Sequence, residues 1–209
     1  GNGGLTIGND LQGNITTDNA VTLHGGGIGT LTVNAGSTLT LNGALTASGA
    51  ITNNDTIAVG ANALTGTSIG GAGTVTIDDT GSISAAGTIT TLTVSAGTAT
   101  LNGTGGGLVV GGDPGGAIQT SGTVTLNGTA FTSITNSGTL SLNNTANLSG
   151  NLDVAGGSVT LNGDLTVSGA ITNAGTIAVG GNALTGASIG GAGTVTIDDT
   201  GSISAAGTI

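Results

Sequence analysis

Apolar and polar residues alternate along this chain in short bursts, and each burst closes on a turn residue. The stretch Gly73–Ile89 is the clearest example, and it returns letter for letter at 193–209. In Thr74-Val75-Thr76-Ile77 the two aliphatics point one way and the two threonines the other, the period-2 pattern of a half-buried strand. The same signature runs through the chain as Leu5/Ile7, Val21/Leu23, Leu39/Leu41, Ile57/Val59, Val75/Ile77 and Leu92/Val94. It continues as Leu108/Val110, Val124/Leu126, Leu140/Leu142, Val159/Leu161, Ile177/Val179 and Val195/Ile197, twelve pairs at intervals of 16 to 19 residues. Apart from His24 and Ser95, the residue after each pair is Gly, Asn or Asp, types that suit a turn.

Two further apolar columns follow in each unit. One falls six to eight residues after the first aliphatic: Leu11, Ile28, Leu45, Leu64, Ile83, Phe131, Leu148, Leu165, Leu184 and Ile203. The other falls nine to fourteen residues after it: Ile15, Leu31 or Val33, Ile51, Ile69, Ile89, Leu101, Ile118, Ile134, Leu152 or Val154, Ile171, Ile189 and Ile209. Three short strands separated by Gly and Asn corners describe a three-sided coil. One such coil cannot bury its apolar side alone, and stacking neighbours closes a continuous core. Parallel crossovers wind right-handedly in nearly all cases. The expected fold is therefore all-β, a right-handed parallel β-helix of about twelve coils, some 55–60 Å long at roughly 4.8 Å per coil. The irregular stretch Gly111-Gly112-Asp113-Pro114-Gly115-Gly116 reads as a turn or small protruding loop.

A longer period overlies the short one. Residues 48–89 match 168–209 at a spacing of 120, differing only at Asn54/Ala174, Asp55/Gly175, Ala61/Gly181 and Thr67/Ala187. No domain boundary interrupts 1–209. The expectation is one continuous solenoid segment, an internal piece of a longer repetitive chain or a subunit stacking end to end or side by side with its own kind.

Composition narrows the partners. The chain has no Lys, Arg, Glu, Cys, Met, Trp or Tyr, and its ten acidic residues are all Asp. Without cations it cannot neutralise phosphates, so nucleic acid is excluded and an anionic membrane surface disfavoured. Its apolar runs are too short and broken for a membrane span. With no cysteine there is no disulfide or thiol chemistry. The lack of trypsin sites and the low charge point to life outside the cell.

Candidate chemistry is sparse. Asp78-Asp79, repeated as Asp198-Asp199, is the one acidic cluster and a weak calcium candidate. A polysaccharide-cleaving enzyme would use such carboxylates as acid and base, but neighbours in a turn point apart, so no enzyme and no cofactor is expected. Gly111-Gly112-Asp113 is a fragment of a calcium-binding nonapeptide. His24 sits in the turn column, and Phe131 reads as core. The Leu-Asn-Gly corners at 41–43, 101–103, 126–128 and 161–163 could stack their Asn side chains. The outward residues of the signature strand form Thr38/Thr40, Thr74/Thr76, Thr91/Thr93, Thr123/Thr125 and Thr194/Thr196, with breaks at Ala58, Ala178 and Val109. Such a ladder resembles the ice-binding face of some antifreeze solenoids, which implies a possible ligand face for ice or a neutral glycan. Thr also simply suits exposed strand positions.

The run Gly-Thr-Leu-Thr-Val-Asn-Ala-Gly-Ser-Thr-Leu-Thr-Leu-Asn-Gly at 29–43 is similar to the repeats of bacterial filamentous-haemagglutinin-type adhesins and autotransporter passenger domains. So is Ser-Gly-Ala-Ile-Thr-Asn-Ala-Gly-Thr-Ile-Ala-Val-Gly at 168–180. The resemblance implies a secreted or surface-exposed right-handed β-helix acting as a filament, stalk or adhesin shaft.

Overall fold

A computed structural model describes residues 13–94, 98–112, 114, 116–198 and 200–207. The pair Leu5/Ile7 lies outside these residues, as do Gly8, Leu11, Ser95, Asp113, Gly115, Asp199 and Ile209. The described chain is all-β without a helix: parallel strands stack into a β-solenoid of about 10 turns with three strands per coil. Among the described residues no helix is therefore long and apolar enough to cross a membrane.

The chain visits three faces in a fixed order. Face 1 begins at β2 (Val21–Leu23), face 2 at β3 (Gly26–Ile28) and face 3 at β1 (Ile15–Thr17), which is followed in the next turn by β4 (Leu31–Val33). On face 1, Val21 stacks on Leu39, Leu39 on Ile57, Ile57 on Val75 and Val75 on Leu92. Like residues lie over like, as the alternation predicts. The aliphatics point inward: Leu39, Ile57 and Leu92 are fully buried. Small residues let the backbone turn each corner. At Gly71 φ is +107°, and an added Cβ would collide with the Asn53 carbonyl of the turn below.

Face 3 carries one unbroken stack, Ile15, Leu31, Ile51, Ile69, Gly87, Leu108, Val124, Leu140, Val159, Ile177 and Val195. This order carries a finding that the sequence pattern did not foretell. The signature strand occupies face 1 as far as Leu92/Val94, but Leu108/Val110 pairs with Gly87/Ile89 on face 3. From there to Val195 the signature stays on face 3. The step from Leu92 to Leu108 is thus two-thirds of a turn, one reason twelve pairs make about 10 turns.

The slip happens within one coil, where three successive strands carry the signature. Leu92/Val94 lies on face 1, Ala99/Leu101 on face 2 beside Ile118/Thr120, and Leu108/Val110 on face 3. Residues 104–107 bulge out between the last two, and Gly111 and Pro114 then lie against face 1. Val94 donates its N–H to the Pro114 carbonyl at 2.8 Å, and Leu92 donates to Gly111 at 3.2 Å. Pro114 is buried against the rod, which fits the turn rather than the small protruding loop of the two forms expected here. Gly116 then accepts from Thr132, and face 1 continues through Phe131, Leu148 and Val167.

The two copies of the long repeat consequently face different ways. Ile57 and Val75 stack on face 1, whereas their twins Ile177 and Val195 stack on face 3. Following the stack upward, 120 residues make about six and two-thirds turns.

Candidate functional surface

The ten threonines of the expected ladder are outward-facing, but they do not share a face. Thr38, Thr40, Thr74, Thr76, Thr91 and Thr93 lie on face 1, joined through Thr56 and Ala58 in one five-stranded sheet. Thr123, Thr125, Thr194 and Thr196 lie on face 3, joined through Thr139/Ser141, Ser158/Thr160 and Thr176/Ala178. The single ladder is therefore corrected to two strips in different directions, because the signature changes face between Leu92 and Leu108. Within each strip the hydroxyl-bearing side chains stand in two rows, one above the other in register.

Apart from Asp153 on face 2, the described carboxylates are dispersed along the edges of the rod. Asp78 and Asp79 are exposed at the corner from face 1 to face 2, and the Asp79 carboxylate accepts the N–H of Thr80 at 2.7 Å. Asp198 is exposed at the corner from face 3 to face 1, so the twin acidic turns point to different edges. Asp18, Asp55 and Asp164 share that second edge. Asp55 Oδ2 accepts from Gly36 N–H at 2.6 Å, and Asp164 Oδ1 accepts from Ala183 N–H at 2.8 Å. These carboxylates tie one turn to the next. Among the described residues no group of three or more His, Cys, Asp or Glu could hold a metal ion.

His24 is exposed at the corner after Leu23, its Nδ1 3.1 Å from the Asn42 amide of the next turn. The expected stacking of corner amides is present on the later turns. Asn143 donates to Asn127 Oδ1 and Asn162 donates to Asn143 Oδ1, both at 2.9 Å. Asn102 instead donates to Ser84 Oγ at 3.1 Å. Phe131 is core, as the column pattern predicts, and it floors a shallow groove with Leu148. That groove is rimmed by Ala130, Thr132, Asn147, Ser149 and Ser168, and a second by Thr100, Gln119, Thr120, Ser121, Thr135 and Ser137. Neither contains an ionisable side chain.

Sequence reasoning missed three buried amides. Asn53, Asn136 and Asn173 each end an Ile-Thr-Asn triplet and turn inward at a corner. Asn136 Nδ2 donates to the carbonyls of Gly138 and Ser158, each at 3.0 Å, while its Oδ1 accepts from Thr120 Oγ1 and Gly138 N–H. Asn53 and Asn173 donate likewise to Thr74 and Thr194 in the turn above. The repeated triplet, at 51–53, 134–136 and 171–173, was the available signal.

With no Lys or Arg in the chain, salt has only like charges to screen. Raising ionic strength to about 1 M, where screening acts within ~3 Å, should leave the thermal midpoint unchanged or slightly higher. A clear fall of the midpoint, followed by circular dichroism, would contradict this.

Comparison with protein-family models, curated proteins and solved structures finds no match for the chain.

Proposed function

We propose that the chain is a rigid structural segment, a filament, stalk or adhesin shaft displayed outside the cell. The observation that carries this reading is the face 3 stack, which runs in register from Ile15 to Val195. Each turn bonds to the next through backbone hydrogen bonds and aliphatic contact, so length grows without a larger core. The absence of trypsin sites, the low charge and the resemblance to haemagglutinin-type repeats support an extracellular setting. The role is mechanical: the shaft holds whatever it bears at a fixed distance.

Small-angle scattering and electron microscopy test this directly. A rod of about 10 turns should measure roughly 50 Å at ~4.8 Å per turn, with constant cross-section and a 4.8 Å-class meridional reflection in oriented samples. A compact or flexible particle would overturn the reading. A second reading, binding of ice or a neutral glycan, is favoured by the in-register rows of Thr38 to Thr93 on face 1. Thermal hysteresis or polysaccharide retention that disappears with Thr76→Tyr would establish it.

A further inference from the structure

Among the described residues, Asn-Gly pairs recur at 42–43, 102–103, 127–128 and 162–163. The first stands apart, because His24 Nδ1 lies 3.1 Å from Asn42 Nδ2, and His24 is the chain's one imidazole. We propose that Asn42 is a site of self-catalysed deamidation, in which the Gly43 nitrogen attacks the side-chain amide and His24 protonates the departing ammonia. The product is an aspartyl or isoaspartyl residue facing the imidazole. The site is independent of the shaft reading.

The corner supplies both halves of the reaction. Gly43 is required by packing, since an added Cβ would sit 2.5 Å from the His24 carbonyl oxygen. A glycine nitrogen carries no neighbouring side chain to shield it. Gly43 lies outside the strands, and among the described residues its N–H donates to no acceptor. Chain connectivity holds that nitrogen close to the Asn42 amide, so the attack is intramolecular. Asn42 is exposed to the water that the later step consumes.

The Gly43 nitrogen gives its proton to water and bonds to Cγ of Asn42. The Cγ–Nδ2 bond breaks as Nδ2 takes the proton from Nδ1 of the imidazolium and leaves as ammonia. Histidine suits this role because it exchanges protons near neutral pH. Water then opens the five-membered imide at either carbonyl, giving aspartate or isoaspartate. Water is the only co-reactant, solvent reprotonates the imidazole, and nothing is oxidised or reduced. The new carboxylate meets the one side chain here that can carry positive charge, since Lys and Arg are absent. The extra backbone atom of isoaspartate falls in a corner, where coils of unequal length already find room.

Asn162-Gly163 is a built-in reference. Asn162 is likewise exposed and follows a buried Leu. Its N–H donates to the Leu142 carbonyl at 2.8 Å, as that of Asn42 donates to Leu23 at 2.7 Å. A Cβ on Gly163 would sit 2.5 Å from the Asn144 backbone. Its side-chain amide, however, meets Asn143 Oδ1, which has no proton to give. Asn127 Oδ1 is engaged by Asn143, and Asn102 lies inside the strand Thr98–Val110.

The test incubates the folded chain in warm neutral buffer and follows each Asn-Gly pair over time. Conversion is read by mass spectrometry of fragments from a protease that needs neither Lys nor Arg, and isoaspartate is counted by enzymatic methylation. Asn42 should convert roughly tenfold faster than Asn162, short of the hundredfold or more of an optimised general acid. His24→Asn rebuilds the amide-on-amide contact seen between Asn127 and Asn143. It should bring Asn42 down to the rate of Asn162 and leave Asn162 unchanged. If that variant loses its strand signal, His24→Gln supplies the same test. Equal rates at Asn42 and Asn162 in wild type, or an Asn42 rate that the His24 variants leave unchanged, overturns the inference. So does an Asn42 that stays intact in the folded chain while it converts in denaturant, because the corner then blocks the attack. None of these outcomes bears on the shaft.

Discussion

Leu140→Asp is expected to unfold the middle of the rod at neutral pH. Leu140 is fully buried between Val124 below and Val159 above. A carboxylate placed there loses its water and finds no cation, because the chain has none. The penalty for an unpaired buried ion is several kcal/mol, about 5 here, which rivals the whole stability of a typical domain. The direction with pH follows from the same cause. Burial raises the folded-state pKa of the introduced carboxyl above its unfolded value of about 3.9. The loss is therefore greatest above the raised folded-state pKa, remains large at neutral pH, and shrinks as pH falls toward the unfolded value, below which both states are protonated. Far-UV circular dichroism melts at neutral and acid pH check both statements. A neutral-pH midpoint equal to wild type would refute the stacked core.

Asn136→Ala should lower stability by about 3 kcal/mol, the cost of leaving two or three buried or part-buried partners unsatisfied. The partners are the Ser158 carbonyl of the turn above, the Gly138 N–H and the Thr120 hydroxyl of the turn below. Asn173→Ala, which loses the Thr194 and Gly175 contacts only, should cost about 2 kcal/mol. Asn143→Ala, in the exposed amide stack, should cost under about 1 kcal/mol. Denaturant midpoints rank the three, and equal losses at Asn136 and Asn143 would deny the buried amide its role.

The contrast between these asparagines shows what could be read from the chain alone. Strand positions were legible because Val75 and Ile77 alternate with Thr74 and Thr76, and burial follows that alternation turn after turn. Their stacking was legible too: Val75 does lie between Ile57 and Leu92. Asn53, Asn136 and Asn173 were not, since an Asn two residues before a Gly or Asp reads as a solvated corner until the coil closes around it. The change of face was hidden for a different reason. A period-2 pattern states which side of a strand is buried and says nothing of which face of the rod the strand occupies. One trace of it survives in the sequence, as the second apolar column has no member between Ile83 and Phe131. The candidate surface inherited that blindness: each Thr pair was identifiable, but not the division of the pairs between faces 1 and 3.

The mismatch between the 120-residue period and the turn has a bearing on how such a chain can change length. The Asn53 and Asn173 corners bond the turn above in the same way, and the twin segments 48–89 and 168–209 differ in sequence at only four positions. Unequal recombination between the twins would add or remove one period, about 32 Å of rod at ~4.8 Å per turn. Every junction would find its usual neighbours, and everything beyond it would swing round by one face. Three such events restore the starting orientation, so a lineage could lengthen its shaft in steps while turning its uncharged sides toward each direction in succession.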